Sequence, residues 1–85
     1  YIIDSVGWGY YLIGDFINAE KFLRKAIQLM PEDPIVNDHY GDVLWQLNRK
    51  IQAKYFWQSA FNSEESEEEL KKNISRKLLQ GIKEG

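Results

Sequence analysis

Residues 6–27 read VGWGYYLIGDFINAEKFLRKAI, and residues 40–61, an offset of 34, read YGDVLWQLNRKIQAKYFWQSAF. Identical residues at this offset are Asp4 and Asp38, Gly7 and Gly41, Ile17 and Ile51, Ala19 and Ala53, Phe22 and Phe56, and Ala26 and Ala60. Bulky apolar residues recur between them, at Val6 and Tyr40, Tyr10 and Leu44, Ile13 and Leu47, and Leu23 and Trp57. Alternating small and large side chains let packed helices interdigitate. The sequence therefore predicts a two-helix unit that occurs twice.

Turn residues divide the chain into short helical segments. Gly14 followed by Asp15 is typical of a helix end and the N-cap of the next helix. Asp33 before Pro34 is typical of an N-cap with proline at the first helical position. Asn48 stands where Gly14 stands in the first unit, and asparagine also tolerates the left-handed backbone conformation. Since no segment alternates as a strand does, we predict an all-α chain with helices at 2–13, 16–30, 34–47, 50–62 and 66–81.

The last predicted helix has the features of a cap on a stack of helices. Ser66 followed by Glu69 matches a capping box at its start. One narrow apolar stripe follows, and a single stripe on a charged helix is typical of a terminal element; its members are Leu70, Ile74, Leu78 and Ile82. We interpret the basic stretch Lys71 to Lys77 as a solvated face rather than a contact to nucleic acid or acidic lipid.

Composition restricts the classes of partner. The 85 residues carry a formal net charge of -2, which gives no overall attraction to nucleic acid or anionic membranes. No apolar run of about 18 residues could span a bilayer. There is no cysteine, so disulfides and thiolate metal sites are excluded, while the compartment stays open. The chain begins at Tyr1 in residues that read as helix, so we expect a piece of a longer protein.

The 34-residue period and the positions of the small residues resemble the tetratricopeptide repeat (TPR), whose signature is W-x2-L-G-x2-Y, then A-x3-F, A and P. The first unit holds Ile3, Val6, Gly7, Tyr10, Ala19, Leu23, Ala26 and Pro31 at these positions. The second holds Asn37, Tyr40, Gly41, Leu44, Ala53, Trp57, Ala60 and Glu65. Both lack the first tryptophan, and the second lacks the proline. More narrowly, residues 37–42 with Trp45, Ala53 and Trp57 look like the C-terminal repeats of large bacterial TPR proteins.

The resemblance implies an α-solenoid with a right-handed twist. Its parts would be repeat 1 at residues 1–33, repeat 2 at residues 34–65 and a capping helix within residues 66–85. The first helix would keep an apolar side without a neighbour, including Ile2, Ile3 and Val6. We therefore expect self-association that depends on concentration.

TPR arrays bind peptides or partner proteins in a concave groove, and the resemblance maps this groove onto residues of three helices: Tyr1, Asp4, Trp8, Tyr11, Ile35, Asp38, Asp42, Trp45, Lys72 and Arg76. The family also has a carboxylate clamp, which binds the C-termini of chaperones. This clamp needs amide and basic residues at five positions, two of which belong to the groove residues named above. Those positions hold Asp4, Trp8, His39, Glu69 and Asn73, and none of them matches. Chaperone-tail binding is therefore not expected.

Two interpretations of the groove aspartates stay open. Exposed Asp38 and Asp42 beside Trp45 would suit a ligand rich in Lys or Arg, through charge pairing and cation-π contact. Alternatively, the aspartates pair within the chain, with Arg49, Lys50 or Arg76, and the tryptophans pack the repeats.

His39 is the single histidine, and Asp42, three residues on, is the carboxylate within its reach. One histidine with one carboxylate makes neither a zinc site nor a catalytic triad, so we interpret His39 as a partly buried histidine in a hydrogen-bond pair. We thus predict no catalytic residue, metal or cofactor. The expected function is a protein-interaction module, and the alternative is a structural terminus or self-association segment of a longer TPR array.

Overall fold

Five α-helices build the chain in the computed structural model, which describes residues 2–82. They are α1 (Ile2–Leu12), α2 (Phe16–Leu29), α3 (Pro34–Gln46), α4 (Lys50–Asn62) and α5 (Glu68–Gln80). Within residues 2–82 no strand occurs, so the all-α prediction is confirmed. Each predicted helix boundary lies within two residues of the observed one.

The predicted turn residues act as expected at three of the helix junctions. The Asp15 carboxylate accepts a hydrogen bond from the backbone N–H of Asn18 at 3.2 Å and so caps α2. The Asp33 carboxylate caps α3 by accepting from two backbone N–H groups, at 2.9 and 3.1 Å. Gly14 and Asn48 adopt left-handed backbone angles, with φ of 84° and 63°. These caps reverse the chain over a few residues.

The capping box predicted for α5 is wrong. The helix begins at Glu68, its N-cap is Glu67, and no side chain accepts a hydrogen bond there. Ser66 instead belongs to the preceding turn, where its N–H donates to the carbonyl oxygen of Ser63 at 3.2 Å. Within the described residues its buried hydroxyl has no hydrogen-bond partner. Ser66 therefore lies one residue too early to reach the first turn of the helix.

Each helix packs against the next one along the chain, and α1 also contacts α3. Two glycines allow the close approach within the pairs. A Cβ on Gly7 would lie 2.7 Å from Cγ of Leu23, and a Cβ on Gly41 would overlap the Trp57 indole. Ala19, Ala26, Ala53 and Ala60 are fully buried in the same interfaces. The predicted packing of large side chains against small residues is confirmed for Leu23 on Gly7 and Trp57 on Gly41. It is wrong for Val6 and Ile13, which are 40% and 77% exposed.

The core runs through α2, α3 and α4 and is closed by α5. Its largest fully buried side chains are Trp57, Leu23, Leu44, Ile74, Val36 and Val43. From α5, Ile74 is buried, and the rest of the predicted stripe packs against the core: Leu70, Leu78 and Ile82. Helix α5 therefore covers α4 with the apolar stripe that the sequence indicates.

Candidate functional site

Helices α1, α3 and α5 contribute to one surface of the protein, on which α3 is central. Helix α1 contacts it through Trp8 and Tyr11, and α5 contacts it through Lys77. We call this surface the inner face, and its members are Asp4, Trp8, Tyr11, Ile35, Asp38, His39, Asp42, Gln46, Asn73, Arg76 and Lys77. The sequence places all of them except Gln46 and Lys77 at or beside the predicted groove.

Stacked rings from two helices form the first part of the inner face. The Trp8 indole stacks on the His39 imidazole with ring centroids 4.0 Å apart, and on the Tyr11 ring at 4.5 Å. Gln46 Nε2 donates to the Tyr11 hydroxyl at 3.4 Å. Burial raises the pKa of Tyr11 above its ordinary value of 10.0. All three residues stay partly exposed, so they form an aromatic row that solvent reaches in part.

His39 is held by a carboxylate from the first unit. Its Nδ1 lies 2.9 Å from Oδ1 of Asp4, which is itself buried. The sequence indicated a partly buried histidine in a hydrogen-bond pair, and this is confirmed, but its predicted partner Asp42 is wrong. Asp42 faces α4 and α5 instead, because Trp57 and Lys77 both contact it.

Lys77 joins two carboxylates of α3. Its ammonium donates to Asp38 and to Asp42 at 2.6 Å each and lies 5.3 Å from the centroid of the Trp57 ring. The Trp57 indole N–H donates to the same Asp42 oxygen at 2.9 Å. We call Asp38, Asp42, Lys77 and Trp57 the lysine lock. Both residues are buried, with 8% and 7% of their surface exposed, so the interpretation as exposed groove residues is wrong and the alternative, pairing within the chain, is confirmed.

The lysine lock contains two carboxylates and one ammonium, so negative charge is in excess. Burial and the neighbouring Asp38 raise the pKa of Asp42 from 3.8 to about 6, against the lowering effect of Lys77. Burial alone would lower the pKa of Lys77, but Asp42 and Asp38 outweigh it and raise the pKa above 10.5. The excess carboxylate charge contributes to both shifts, but burial is the larger cause for Asp42, whereas burial opposes the shift of Lys77.

Lys77 is the functional residue that the sequence interpretation missed. It was assigned to the solvated basic face of α5, yet only 17% of its side chain is exposed. The expected intrachain partners of the aspartates, Arg49, Lys50 and Arg76, do not take this role. A signal was present in the spacing: Leu70, Ile74, Lys77 and Gly81 follow at intervals of four, three and four. That spacing places Lys77 on the apolar stripe.

The remaining predicted groove residues have different surroundings. Ile35 is 52% exposed, and Trp45 is half-buried between the Trp57 ring at 5.4 Å and the Lys50 ammonium at 4.6 Å. Arg76 is exposed and donates to Asn73 at 3.3 Å. Lys72 is exposed and lies one helical turn before Arg76 on α5. Tyr1 lies outside the described residues.

A concavity of about 620 Å³ lies away from the inner face, beside the end of α4. It is open and is lined by Pro31, Glu32, Tyr55, Gln58, Ser59, Asn62, Ser63, Glu64 and Glu65. None of the predicted groove residues contributes to it. Across residues 2–82 no group of three or more potential metal ligands occurs, and no helix has the length and apolarity to cross a membrane.

Comparison of the chain with protein-family models, with curated protein sequences and with solved structures finds no match.

Proposed function

We propose that this chain is a protein-interaction module of the TPR kind, whose inner face binds a peptide or partner protein. The observation that carries the proposal is the row of stacked rings from Tyr11, Trp8 and His39, built by two helices and partly exposed to solvent. Rigid aromatic side chains offer a ligand large contact area at a small cost in conformational entropy. The 34-residue repeat supports two TPR units, residues 1–33 and 34–65, followed by a capping segment.

The charges of the inner face favour recognition by apolar contact. Asp38 and Asp42 are buried and share the Lys77 ammonium within the lysine lock, so they offer little to a basic ligand. On α5, Glu69 and Arg76 lie on the side that bears Lys77, are exposed and carry opposite charges. We therefore propose a partner that places an apolar or aromatic side chain against the ring row and Ile35. Its affinity should change little with salt, because few net charges are screened.

Selection of peptides from a displayed random library on the immobilised chain tests the proposal, followed by NMR titration with the selected peptides. The indole N–H signal of Trp8 should shift on binding. The Trp57 indole is an internal reference, because it is buried and already donates to Asp42. Trp8→Ala should weaken binding at least tenfold, since aromatic anchors dominate such contacts. Ile51→Ala, at a residue that is 88% exposed on α4, is the matched control and should leave affinity unchanged.

Peptides that shift signals of α2 and α4 but leave the Trp8 indole unmoved would rule out the inner face as the binding surface. Affinity that falls steeply between low and high salt would contradict the apolar mode of recognition and restore a charge-based one.

A second candidate is a structural terminus of a longer repeat array, and a specific observation favours it. Polar groups of the inner face already have partners inside the chain: Asp4 with His39, and both aspartates of the lysine lock with Lys77. Under this alternative the library yields no binder, and Trp8→Ala lowers the melting temperature instead. These buried pairs satisfy one another, which suits a scaffold more than a catalyst.

A further inference from the structure

Helix α1 presents an exposed face without a single charge. The exposed residues among positions 2–13 are Ile2, Ser5, Val6, Gly9, Leu12 and Ile13, and at about 100° per residue they occupy one arc of the helix. Ile2 is 82% exposed and Ile13 is 77% exposed. The open faces of the other helices carry charged groups, such as Lys21 on α2, Lys54 on α4 and Arg76 on α5. An exposed face with several large apolar side chains and no charge is typical of an interaction site.

In the second unit of the repeat, the corresponding positions of α3 are buried. At the offset of 34 residues, Ile2, Val6 and Gly9 correspond to Val36, Tyr40 and Val43, all of them buried. These positions of α3 lie on the side where α2 packs alongside. There the Tyr40 hydroxyl donates a hydrogen bond to Glu20 of α2 at 2.9 Å. The same register on α1 is therefore a helix-packing surface that no other part of residues 2–82 covers.

Gly9 is explained by such a contact and by nothing within residues 2–82. Glycine inside a helix is destabilising. At Gly7 and Gly41 the close approach of a neighbouring side chain requires it, because a Cβ there would overlap that side chain. A Cβ on Gly9 would meet no atom within 4 Å. A glycine at the centre of an exposed apolar arc allows the backbone of another helix to approach closely.

We propose that two copies of this chain associate through their α1 faces, with the two helices antiparallel about a twofold axis. The uncharged arc is complementary to itself, whereas covering it with α2, α4 or α5 of another copy would bury charged groups. Such an isologous contact closes at a dimer. Near the axis lie Val6 and Gly9, while Ile2 of one protomer faces Ile13 of its partner. The inner face takes no part in this contact, so the proposal is independent of peptide binding.

The dimer should be weak, because only one helix of each copy contributes to the contact. Eleven residues span about 17 Å, and a helix is about 10 Å across. An interface of that size falls in the small, transient class. We expect a dissociation constant on the order of 100 µM, the range of weak encounters.

Sedimentation equilibrium from about 10 µM to about 1 mM tests the dimer, with a monomer mass of 10.0 kDa as the reference. The average mass of the wild-type chain should rise toward twice that value. Gly9→Glu should abolish the rise, because each dimer would bury two like charges near the axis. The variant should still fold and melt several degrees higher, since its Cβ enters open space and glutamate favours helix. Ile51→Glu, equally exposed on α4, should associate as the wild type does.

Cysteine cross-linking locates the contact, since the chain has no cysteine of its own. Gly9→Cys should form an intermolecular disulfide at least tenfold faster than Ile51→Cys under mild oxidation. A wild-type chain that stays monomeric at about 1 mM overturns the proposal, and so does a Gly9→Glu variant that associates like the wild type. Equal loss of association in the Ile51→Glu control would place the contact on another surface and would also overturn the proposal.

Discussion

Replacing Lys77 with methionine isolates the contribution of the lysine lock, because methionine keeps the length of the stem and removes only the ammonium. Two charge-assisted hydrogen bonds of 2.6 Å are lost, and two carboxylates, 12% and 10% exposed in their side chains, are left facing each other. Removing one partner of a buried ion pair costs about 3–5 kcal/mol. We expect about 3 kcal/mol here, near the lower limit, because solvent still reaches part of the cluster.

This loss is large for a domain of 85 residues. Domains of this size have free energies of unfolding of roughly 4–13 kcal/mol. A loss of about 3 kcal/mol should lower the melting temperature by on the order of 15 °C. Urea unfolding followed by circular dichroism gives the free energy directly.

The stability deficit of Lys77→Met should change with pH in a direction that a simple loss of packing would not produce. The pKa of Asp42 is raised to about 6 in the folded chain, so the folded state binds more protons than the unfolded state between about pH 4 and pH 6. Its contribution to stability is present below the unfolded pKa and is lost as pH rises through 6. Without the Lys77 ammonium this pKa rises further. The deficit of Lys77→Met should therefore be larger at pH 8 than at pH 5.

Two controls accompany the measurement. Lys72→Met removes an exposed lysine from the same helix and should change stability by less than about 0.5 kcal/mol. Adding Asp42→Asn to Lys77→Met should recover at least half of the loss, because the asparagine oxygen still accepts from the Trp57 indole. The reasoning fails if Lys77→Met costs no more than Lys72→Met, or if its deficit is the same at pH 5 and pH 8.

Further predictions concern packing, and thermal melts check each of them. Gly41→Ala should lower stability by about 1–2 kcal/mol, because its Cβ overlaps Trp57; Gly9→Ala, in open space, should raise it by up to about 1 kcal/mol. Equal effects of the two substitutions on stability would refute the close approach of Gly41 to Trp57. Ser66→Ala should stabilise by about 1 kcal/mol by removing a buried hydroxyl without a partner. Deleting residues 66–85 should cause aggregation or an earlier melt, because it uncovers α4 and removes Lys77 from the lysine lock; an equally stable truncation would contradict the capping role of α5.

Features encoded within a few residues could be predicted from the sequence alone. The bounds of the helices follow from caps such as Asp33 and from left-handed residues such as Asn48, whose geometry depends on adjacent backbone. The close contacts of Gly7 and Gly41 were also predictable, because the repeat places the small residues in the same register twice. Where the local signal was ambiguous, as at Ser66, a shift of the helix start by two residues was enough to make the prediction wrong.

Only the tertiary structure decided which charged and aromatic side chains meet. The partners Asp4 and His39 are 35 residues apart, and Asp38 and Lys77 are 39 apart. Helical periodicity places each residue on a face of its own helix, but it does not say how neighbouring helices are rotated against each other. That rotation is set by the packing of the core, and it turned two predicted groove aspartates inward onto Lys77. The inner face is aromatic rather than acidic for this reason.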